Sequence, residues 1–327
     1  MNNITLIICF IVSFTASLFL IPTWIKKATN GGFFGKDIHK LDKRPVAEMG
    51  GVVVMIAFVL GLLCYVALTI HKPNTENHTV MILGILSAIL ITIIIGILDD
   101  VLGWKIGLRQ YEKPIITLLA VIPIAIIVTD SSVYLPFIGD VQFGILYPLL
   151  IIPLIILFTT NSFNMLAGYN GLEAGQGILI LGTLGFMTFS IGEFWPGAIA
   201  FIMVFALVAF LIHNFYPARV FPGDSLTYSV GALIGIIAIV GKIECVLLIL
   251  MIPYFLEFIL KLRGRFQKES FSKLNKDGSL YVDGIYGMEH VMVRIIGKFK
   301  KVREYDVVLG LWALQLILCI IAWMVFI

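Results

Sequence analysis

Apolar residues run through this chain in ten long stretches separated by short polar segments. A bilayer core about 30 Å thick needs roughly 20 consecutive apolar residues per helix, and each stretch approaches that length. The stretches cover residues 4–24, 51–70, 80–98, 114–129, 144–160, 173–190, 195–213, 224–242, 244–262 and 306–326. The pattern predicts an all-α, polytopic membrane protein with about ten transmembrane helices, which form a single transmembrane domain over residues 1–327.

Composition agrees with a membrane protein. Charged residues make up 13% of the 327 residues, whereas soluble domains contain about 25%. Mean hydropathy is +1.03. The four cysteines all lie in apolar stretches and are expected to be free thiols, and the five histidines are too scattered for a protein-built zinc site.

Basic residues predict the orientation of the chain. Of the 23 Lys and Arg residues, all except Lys72 and Lys242 lie in or beside alternate polar segments, which the positive-inside rule places in the cytoplasm. These segments are 25–50, 99–113, 161–172, 214–223 and 263–305. Both termini are then expected outside, and the first stretch is expected to be a retained anchor rather than a cleaved signal peptide.

Three smaller elements are predicted between the stretches. Residues 131–143 contain turn residues between apolar ones and suit a small hairpin, and Ser270–Tyr281 suits a second hairpin about the turn Asn275–Gly278. Residues 288–302 repeat apolar side chains at helical spacing with basic residues opposite. This amphipathic helix suits either the anionic membrane surface or packing against the protein's own spans.

The first candidate site is the pair Asp99-Asp100, at the end of the third stretch. Paired carboxylates near cations can bind Mg²⁺, orient a phosphate or accept a proton. The cations here are Lys105, Arg109 and Lys113. In isolation, such a pair also suits a solvated helix end.

Two further polar segments carry candidate groups. The run Asn161–Gly175 is rich in Asn and Gly, so its amides suit nucleobase recognition or a metal shell, although it also suits an ordinary turn. Asp224 follows Gly223 at the start of the eighth stretch, where a carboxylate can hold Mg²⁺ near a helix N-terminus or can simply cap that helix.

Residues 36–51 and Arg263-Gly264-Arg265 add cations and the carboxylate of Glu48 at the same predicted face. Each could serve as positive-inside signalling alone. Because all these polar clusters lie at the predicted cytoplasmic ends of the stretches, we expect a one-sided active site rather than a binding site at mid-membrane.

Three motifs, in this order along the chain, resemble the polyprenyl-phosphate N-acetylhexosamine-1-phosphate transferase family. They are Asp99-Asp100-Val-Leu, the run from Asn164 to Gln176, and the run from Tyr216 to Asp224. Together with the ten stretches they extend the resemblance over nearly the whole chain. The second motif is similar to the branch of the family that uses dolichyl phosphate and UDP-N-acetylglucosamine.

The resemblance implies a role for each matching residue. Asp224 and Asn164 match the residues that hold Mg²⁺ on the donor pyrophosphate. Gly168, Asn170 and Phe221 match the uracil pocket of the donor site.

The remaining matches concern the phosphates and the sugar. Lys113 and Arg263 match the pyrophosphate clamp, with Lys105 or Arg109 as substitutes for Lys113. Asp99 and Asp100 match the acidic pair near the acceptor phosphate. The residues matched to the donor sugar are Glu48 and Arg265.

The resemblance therefore implies transfer of N-acetylglucosamine-1-phosphate from UDP-N-acetylglucosamine to a polyprenyl or dolichyl phosphate, with release of UMP, as the first membrane step of lipid-linked glycan assembly. It implies Mg²⁺ as cofactor, with Mn²⁺ as an alternative ion, a homodimer in the membrane and no nucleic-acid partner. The alternatives are a related hexosamine-1-phosphate transferase of cell-wall or polysaccharide synthesis, and a transporter of nucleotide-sugars or lipid-linked sugars.

Overall fold

A computed structural model describes residues 3–42, 44–70, 78–135, 139–268 and 270–326, with the side chains of 104–106 and 135 left aside. The longer helices are α1 (Asn3–Asn30), α2 (Gly50–Thr69), α3 (Thr79–Ile106), α6 (Ile152–Met165), α7 (Leu172–Ser190), α8 (Phe194–Asn214), α9 (Asp224–Val240) and α13 (Glu304–Phe326). The shorter helices are α4 (Glu112–Thr117), α5 (Ile122–Ile127), α10 (Glu244–Leu250), α11 (Ile252–Arg263) and α12 (Met288–Ile296).

Seven helices in the described part of the chain are long and apolar enough to cross a membrane, with α6 counted together with the π-helical turn Tyr147–Ile151 that precedes it. An eighth is formed by α10 and α11 if this pair, bent by 57°, is counted as one span. The two remaining apolar stretches are also helical: α9 has 17 residues, and 114–129 is divided among α4, a 3₁₀ turn at Leu118–Ala120 and α5. The predicted all-α polytopic fold is confirmed.

Prolines account for the interrupted stretches. Pro114 lies in the first turn of α4, Pro123 in the first turn of α5, and Pro253 in the first turn of α11. A proline is tolerated in the first turn of a helix but lacks the N–H that would continue a preceding one. Each proline therefore marks the point at which a new helix begins.

Helix α9 lies at the centre of the bundle, because every residue from Ser225 to Ile239 is buried. It contacts α2, α3, α6, α7 and α8. Two glycines allow the closest approach. A Cβ at Gly231 would lie 2.6 Å from the Thr159 carbonyl oxygen, and one at Gly235 would lie 2.5 Å from Thr159 Oγ1. Backbone packing of this kind is typical of membrane helices with small interface residues.

Among the residues that the structure describes, six short strands form three antiparallel pairs: β1 (Phe34–Lys36) with β2 (Pro45–Ala47), β3 (Ser132–Leu135) with β4 (Gly139–Gln142), and β5 (Lys273–Leu274) with β6 (Leu280–Tyr281). The second and third pairs are the two predicted hairpins, and both are confirmed.

The amphipathic helix α12 has two kinds of surface. A Cβ at Gly310 of α13 would lie 3.3 Å from Met292 Sδ and 3.4 Å from Ile296 Cδ1, so this side packs on a span of the protein itself. Ile295 and, just after the helix, Phe299 are exposed by 50% and 85%. Packing against the protein's own spans therefore accounts for one side, and the other stays available to the membrane surface.

The five segments predicted to be cytoplasmic meet at one end of the bundle. The amide N–H of Phe221 donates to the carbonyl of Ala47, and the Gln110 amide donates to the carbonyl of Phe266. The N–H of Asn170 donates to the carboxylate of Glu304. These contacts join the first segment to the fourth, the second to the fifth and the third to the fifth.

Candidate active site

A cavity of about 390 Å³ opens where these segments meet. It lies between the end of α3, the start of α4, the segment after β2 and the start of α9. Its lining residues are Glu48, Asp99, Asp100, Gly103, Gly107, Leu108, Lys113, Phe221, Gly223 and Asp224. Six of the residues singled out from the sequence are thus brought to one place, although 176 positions separate the first, Glu48, from the last, Asp224.

The chain turns back at the end of α3 to bring Lys113 into the cavity. Gly103 has φ of 68°, a left-handed conformation that glycine adopts without strain. The N–H of Gly107 donates to the carbonyl of Gly103 at 2.7 Å, and the N–H of Leu108 donates to Asp99 Oδ1 at 2.8 Å. The segment between α3 and α4 is therefore folded against Asp99.

Lys113 joins two carboxylates that are far apart in sequence. Its Nζ lies 2.7 Å from Asp99 Oδ2 and 3.2 Å from Asp224 Oδ2. Tyr228 donates its hydroxyl to Asp99 Oδ2 at 3.3 Å. Burial alone would lower the pKa of Lys113, but the Asp224 and Asp99 carboxylates outweigh this effect and hold the pKa above its usual value. Lys113 therefore stays positively charged.

Helix α9 begins at Asp224, but Asp224 is not its cap. The cap position is occupied by Gly223, which has φ of 73° and no side chain to offer. Asp100 of α3 takes this role instead, since its Oδ1 accepts the N–H of Asp224 at 2.7 Å and its Oδ2 accepts the N–H of Ser225 at 3.2 Å. The alternative that Asp224 serves as the N-cap is therefore wrong, and its carboxylate is free to pair with Lys113.

The wall beside α9 is made largely of main chain. Ala47 of β2 forms a parallel bridge with Val220, and the N–H groups of Gly50 and Gly51 donate to the carbonyls of Phe221 and Pro222 at 2.9 and 2.7 Å. A Cβ at Gly51 would lie 2.5 Å from the main-chain nitrogen of Leu226, so the start of α2 lies directly on that of α9.

Glu48 lies between these two contacts and faces the cavity. The Trp24 indole donates to its main-chain carbonyl at 2.9 Å. Burial raises the pKa of the Glu48 carboxyl above its usual value. Glu48 is therefore more readily protonated than an exposed glutamate.

Asn164 lies in the last turn of α6 and does not line the cavity. Helices α6 and α9 are antiparallel, with Gly235 against Ile156 and Gly231 against Thr160. Continuing by four residues on each helix places Asn164 near Thr227, about one helical turn from Asp224. The two predicted metal ligands thus lie at the same end of adjacent helices.

The predicted uracil residues are divided. Phe221 lines the cavity, whereas Asn170 is 3% exposed and donates its side-chain amide to Asp37 Oδ2 at 2.8 Å. Gly168 has φ of 102°, and its N–H donates to Glu173 Oε1 at 2.7 Å. In this arrangement Asn170 and Gly168 lie outside the cavity, and their predicted role in uracil binding stays a prediction.

The sequence patterns did not predict a buried polar cluster that surrounds Asn170. Asp37, His39 and Glu304 have ligand atoms within 4.8 Å of one another and could hold a metal ion. Lys40 pairs with Asp37 at 2.8 Å, and the Asn170 amide already bridges Asp37 and Glu304. No spacing rule could connect Glu304 with Asp37, because the fold alone brings the first and last of the segments predicted to be cytoplasmic together.

Arg263 and Arg265 are exposed at the end of α11 and in the turn after it. The same turn accepts the hydrogen bond from Gln110 through the Phe266 carbonyl, at 2.7 Å. Gln110 follows the cavity-lining residue Leu108 by two positions. Both arginines therefore lie on a segment attached to the cavity rim, without contributing to its lining.

Comparison with known proteins identifies the family of this chain. The profile of glycosyl transferase family 4 matches residues 82–242. A protein of Saccharolobus solfataricus, provisionally named UDP-N-acetylglucosamine–dolichyl-phosphate N-acetylglucosaminephosphotransferase, is 37% identical over 326 residues, which cover 98% of this chain and 97% of the relative. The chain belongs to glycosyl transferase family 4.

Other relatives of this family 4 transferase carry two different names. A Sulfolobus acidocaldarius protein with the same provisional name is 37% identical over 317 residues, covering 95% of this chain and 93% of the relative. A phospho-N-acetylmuramoyl-pentapeptide-transferase of Clostridium botulinum is 29% identical over 266 residues, covering 76% of this chain and 77% of the relative. The family resemblance predicted from the sequence motifs is confirmed.

Proposed function

We propose that this family 4 transferase moves N-acetylglucosamine-1-phosphate from UDP-N-acetylglucosamine to a polyprenyl or dolichyl phosphate and releases UMP. The observation that carries the proposal is the cavity in which Lys113 joins Asp99 and Asp224 at the end of the bundle. The 37% identical archaeal relatives, named for this reaction, support the choice of donor and acceptor.

In the proposed reaction a phosphate oxygen of the lipid attacks the phosphorus that carries the sugar. A new P–O bond forms, the bond from that phosphorus to the UMP oxygen breaks, and UMP leaves with the electron pair. The acceptor phosphate, like other monoesters with a second pKa near about 6, is largely ionised at neutral pH. Two anions must therefore approach, and Lys113 offsets part of their repulsion while Asp99 orients its ammonium.

Mg²⁺ fits the residues around the cavity. Among the lining residues that the structure describes, four carboxyl groups stand against the single ammonium of Lys113: those of Glu48, Asp99, Asp100 and Asp224. Hard oxygen donors with excess negative charge suit Mg²⁺, which binds through one or two carboxylates and substrate phosphates. We propose Asp224 as its carboxylate ligand and Asn164 as a neutral partner. When bound, the ion would neutralise charge on the donor pyrophosphate.

A transporter is the competing function. Transporters bind substrate near the middle of the membrane on discontinuous helices. In the described chain the charged cluster lies at helix ends where five polar segments meet, which supports an enzyme.

A donor panel tests the proposed reaction. Purified protein would be incubated with polyprenyl phosphate, Mg²⁺ and UDP-N-acetylglucosamine, UDP-N-acetylgalactosamine or UDP-N-acetylmuramoyl-pentapeptide, and UMP and the lipid product would be measured by mass spectrometry. We expect UMP and a lipid heavier by one N-acetylglucosamine phosphate with the first donor. Transfer from the third donor alone would favour the cell-wall alternative, and absence of UMP with every donor would contradict an enzyme of this class.

Asp224→Asn tests the proposed metal ligand. The substitution preserves side-chain shape, and the helix cap is unaffected because Asp100 provides it. We expect turnover to fall by about a hundredfold or more, as for removal of a group that stabilises developing charge, with little recovery on raising Mg²⁺. Asp130→Asn is a matched control at the opposite end of the bundle, and we expect it to retain activity. Normal turnover of a well-folded Asp224→Asn protein would contradict the assignment.

A further inference from the structure

The two members of the acidic pair have different neighbours although they are adjacent in sequence. Asp99 contacts side chains of the cavity: the ammonium of Lys113 and the hydroxyl of Tyr228, as well as the N–H of Leu108. Asp100 instead accepts the main-chain N–H groups of Asp224 and Ser225, one on each carboxylate oxygen. One carboxylate thus contacts side chains at the cavity, and the other contacts the end of a helix.

The start of α9 requires a partner from outside its own sequence. The first N–H groups of any helix have no acceptor within the helix, and a side chain at the cap position usually accepts one of them. Gly223 occupies that position in α9 and makes no side-chain hydrogen bond. Asp100 accepts two of these N–H groups, and its negative charge also suits the positive end of the helix dipole.

Close backbone contact between α3 and α9 fixes this cap in place. A Cβ at Gly96, one turn before Asp100, would lie 2.4 Å from the main-chain N and Cα of Ser225. A Cβ at Gly223 would lie 2.6 Å from Asp100 Oδ2. We call this contact the α3–α9 clasp, made of Gly96, Asp100, Gly223, Asp224 and Ser225. It leaves little room for the start of α9 to shift.

We infer that Asp100 is a positioning residue, which fixes the main chain of Asp224 through the α3–α9 clasp, while Asp99, Lys113 and Asp224 perform the chemistry. The inference rests on the proposed function for the identity of the reaction. The identical side chains of the acidic pair therefore have separable roles. If a carboxylate of this pair accepts a proton or orients a phosphate, that carboxylate is Asp99.

Matched asparagine substitutions separate the two roles. Asparagine keeps one of the two acceptor oxygens and caps a helix about as well as aspartate, although it carries no charge, so Asp100→Asn should keep kcat within about tenfold of wild type. Asp100→Ala removes both acceptors and should lower kcat at least about tenfold further, whereas Asp99→Asn and Asp99→Ala should lose activity to a similar extent. The decisive comparison is thus the kcat of the Asn variant against the kcat of the Ala variant at each of the two positions.

Two measurements do not depend on turnover. Mn²⁺ binding to the purified, substrate-free protein would be followed by electron paramagnetic resonance, and thermal unfolding would be recorded in EDTA. We expect Asp100→Ala to bind Mn²⁺ more weakly and to unfold at a lower temperature than Asp100→Asn, because Asp224 loses its fixed main chain. These readouts remain interpretable if the donor panel shows no transfer, so failure of the proposed function and failure of this inference are distinguishable.

Equal inactivation by Asp100→Asn and Asp100→Ala, with unfolding and Mn²⁺ binding both at wild-type values, would overturn the inference and make Asp100 a catalytic group. Wild-type behaviour of Asp100→Ala in every measurement would overturn it as well. If Asp100→Ala fails to fold, the comparison of Asp100→Asn with Asp99→Asn decides between the two roles.

Discussion

At the scale of single residues, Lys113 is the side chain that links α3 to α9 at the cavity. It is one quarter exposed and pairs with two carboxylates, one from α3 and one from α9. Asp99 and Asp224 would repel each other without it, because both lie within ion-pair distance of the same ammonium. Lys113 therefore stabilises the substrate-free protein as well as serving the proposed reaction.

Lys113→Gln should lower the thermal stability of the protein in EDTA by about 1 to 3 kcal/mol, an intermediate value between exposed and buried ion pairs. Added Mg²⁺ should restore part of this loss by taking over the charge of the missing ammonium. Lys242→Gln is the control, since Lys242 is 60% exposed in its pair with Asp130 and should change stability by less than about 1 kcal/mol. An unfolding temperature unchanged by Lys113→Gln would contradict this role.

Protonation of His290 is expected to destabilise the polar segment that follows α11. Burial lowers the pKa of His290 below its usual 6.5, and the nearby Lys261 acts in the same direction. At His290 the folded segment therefore binds fewer protons than the unfolded one as pH falls through this range, which decreases its free energy of unfolding. The neighbouring Glu289 acts in the opposite direction, because burial raises the pKa of its carboxyl. Relative to a variant without an imidazole at position 290, limited proteolysis of residues 264–303 should therefore accelerate between about pH 8 and about pH 5.5.

His290→Asn provides the control for this pH effect. Nδ1 of His290 accepts the N–H of Tyr286 at 3.2 Å, and an asparagine oxygen can accept the same hydrogen bond without titrating. The variant should show a flatter pH dependence of proteolysis. The same acceleration in both proteins would assign the effect to other groups.

The site residues differ in how far sequence could predict them. Asp99, Lys113 and Asp224 occur in polar segments at helix ends, so their common location was predictable from hydropathy and charge. The capping of α9 by Asp100 was not predictable from the sequence, since it depends on how α3 crosses the start of α9. Asn170 shows the opposite case, because its motif predicts a ligand contact whereas its amide is engaged by Asp37 and Glu304.

At the scale of elements, glycine placement decides how closely helices pack. Gly175 of α7 is an extreme case, since a Cβ there would lie 2.0 Å from the Trp312 ring of α13. The Trp312 indole also donates to the Leu172 carbonyl at 3.4 Å. The contact between α7 and α13 thus depends on one missing methyl group.

Gly175→Ala should destabilise the protein by about 1 to 3 kcal/mol, the usual range for overpacking, as measured by thermal unfolding in detergent. Trp312→Leu in the same chain should recover much of this loss, because it removes the ring that the new methyl group meets. Gly182→Ala, in the same helix but with open space around it, should be neutral or slightly stabilising. Equal effects of the two glycine substitutions would contradict the packing argument.

The sequence largely predicts which elements exist and whether they are helices or hairpins. It does not predict where a helix is interrupted. Both hairpins follow from turn residues between short apolar runs. The stretch 114–129 has the composition of one span, yet Pro114 and Pro123 begin separate short helices within it. The bend between α10 and α11 likewise precedes Pro253, and hydropathy averaged over a window does not register such breaks.

At the scale of the whole molecule, five polar segments gather at one end, and the hairpin of β3 and β4 lies with Asp130 and Lys242 at the other. Charge asymmetry predicts which end is cytoplasmic, and this orientation stays a prediction, as does the homodimer. The structure shows that these segments lie together at one end of the bundle, and the distribution of basic residues predicts which side of the membrane that end faces.

Cysteine labelling tests the orientation. Lys298→Cys and Lys242→Cys would be treated in intact cells with a maleimide that does not cross membranes. We expect Lys242→Cys to react at once and Lys298→Cys only after permeabilisation. Wild-type protein controls for background, which should be low because Cys9, Cys245 and Cys319 are buried and the partly buried Cys64 lies within the apolar helix α2. The reverse labelling pattern would contradict the topology.

The charge of the cavity affects the order in which the metal ion and the donor bind. Four carboxyl groups against one ammonium leave it negative, and a free nucleotide pyrophosphate would add further negative charge in a poorly screened space. The donor should therefore enter as its Mg²⁺ complex, and initial velocity should follow the concentration of that complex rather than of total nucleotide. UDP-N-acetylglucosamine added in excess over Mg²⁺ should then compete weakly, and strong inhibition by free nucleotide would show that the cavity accepts the anion alone.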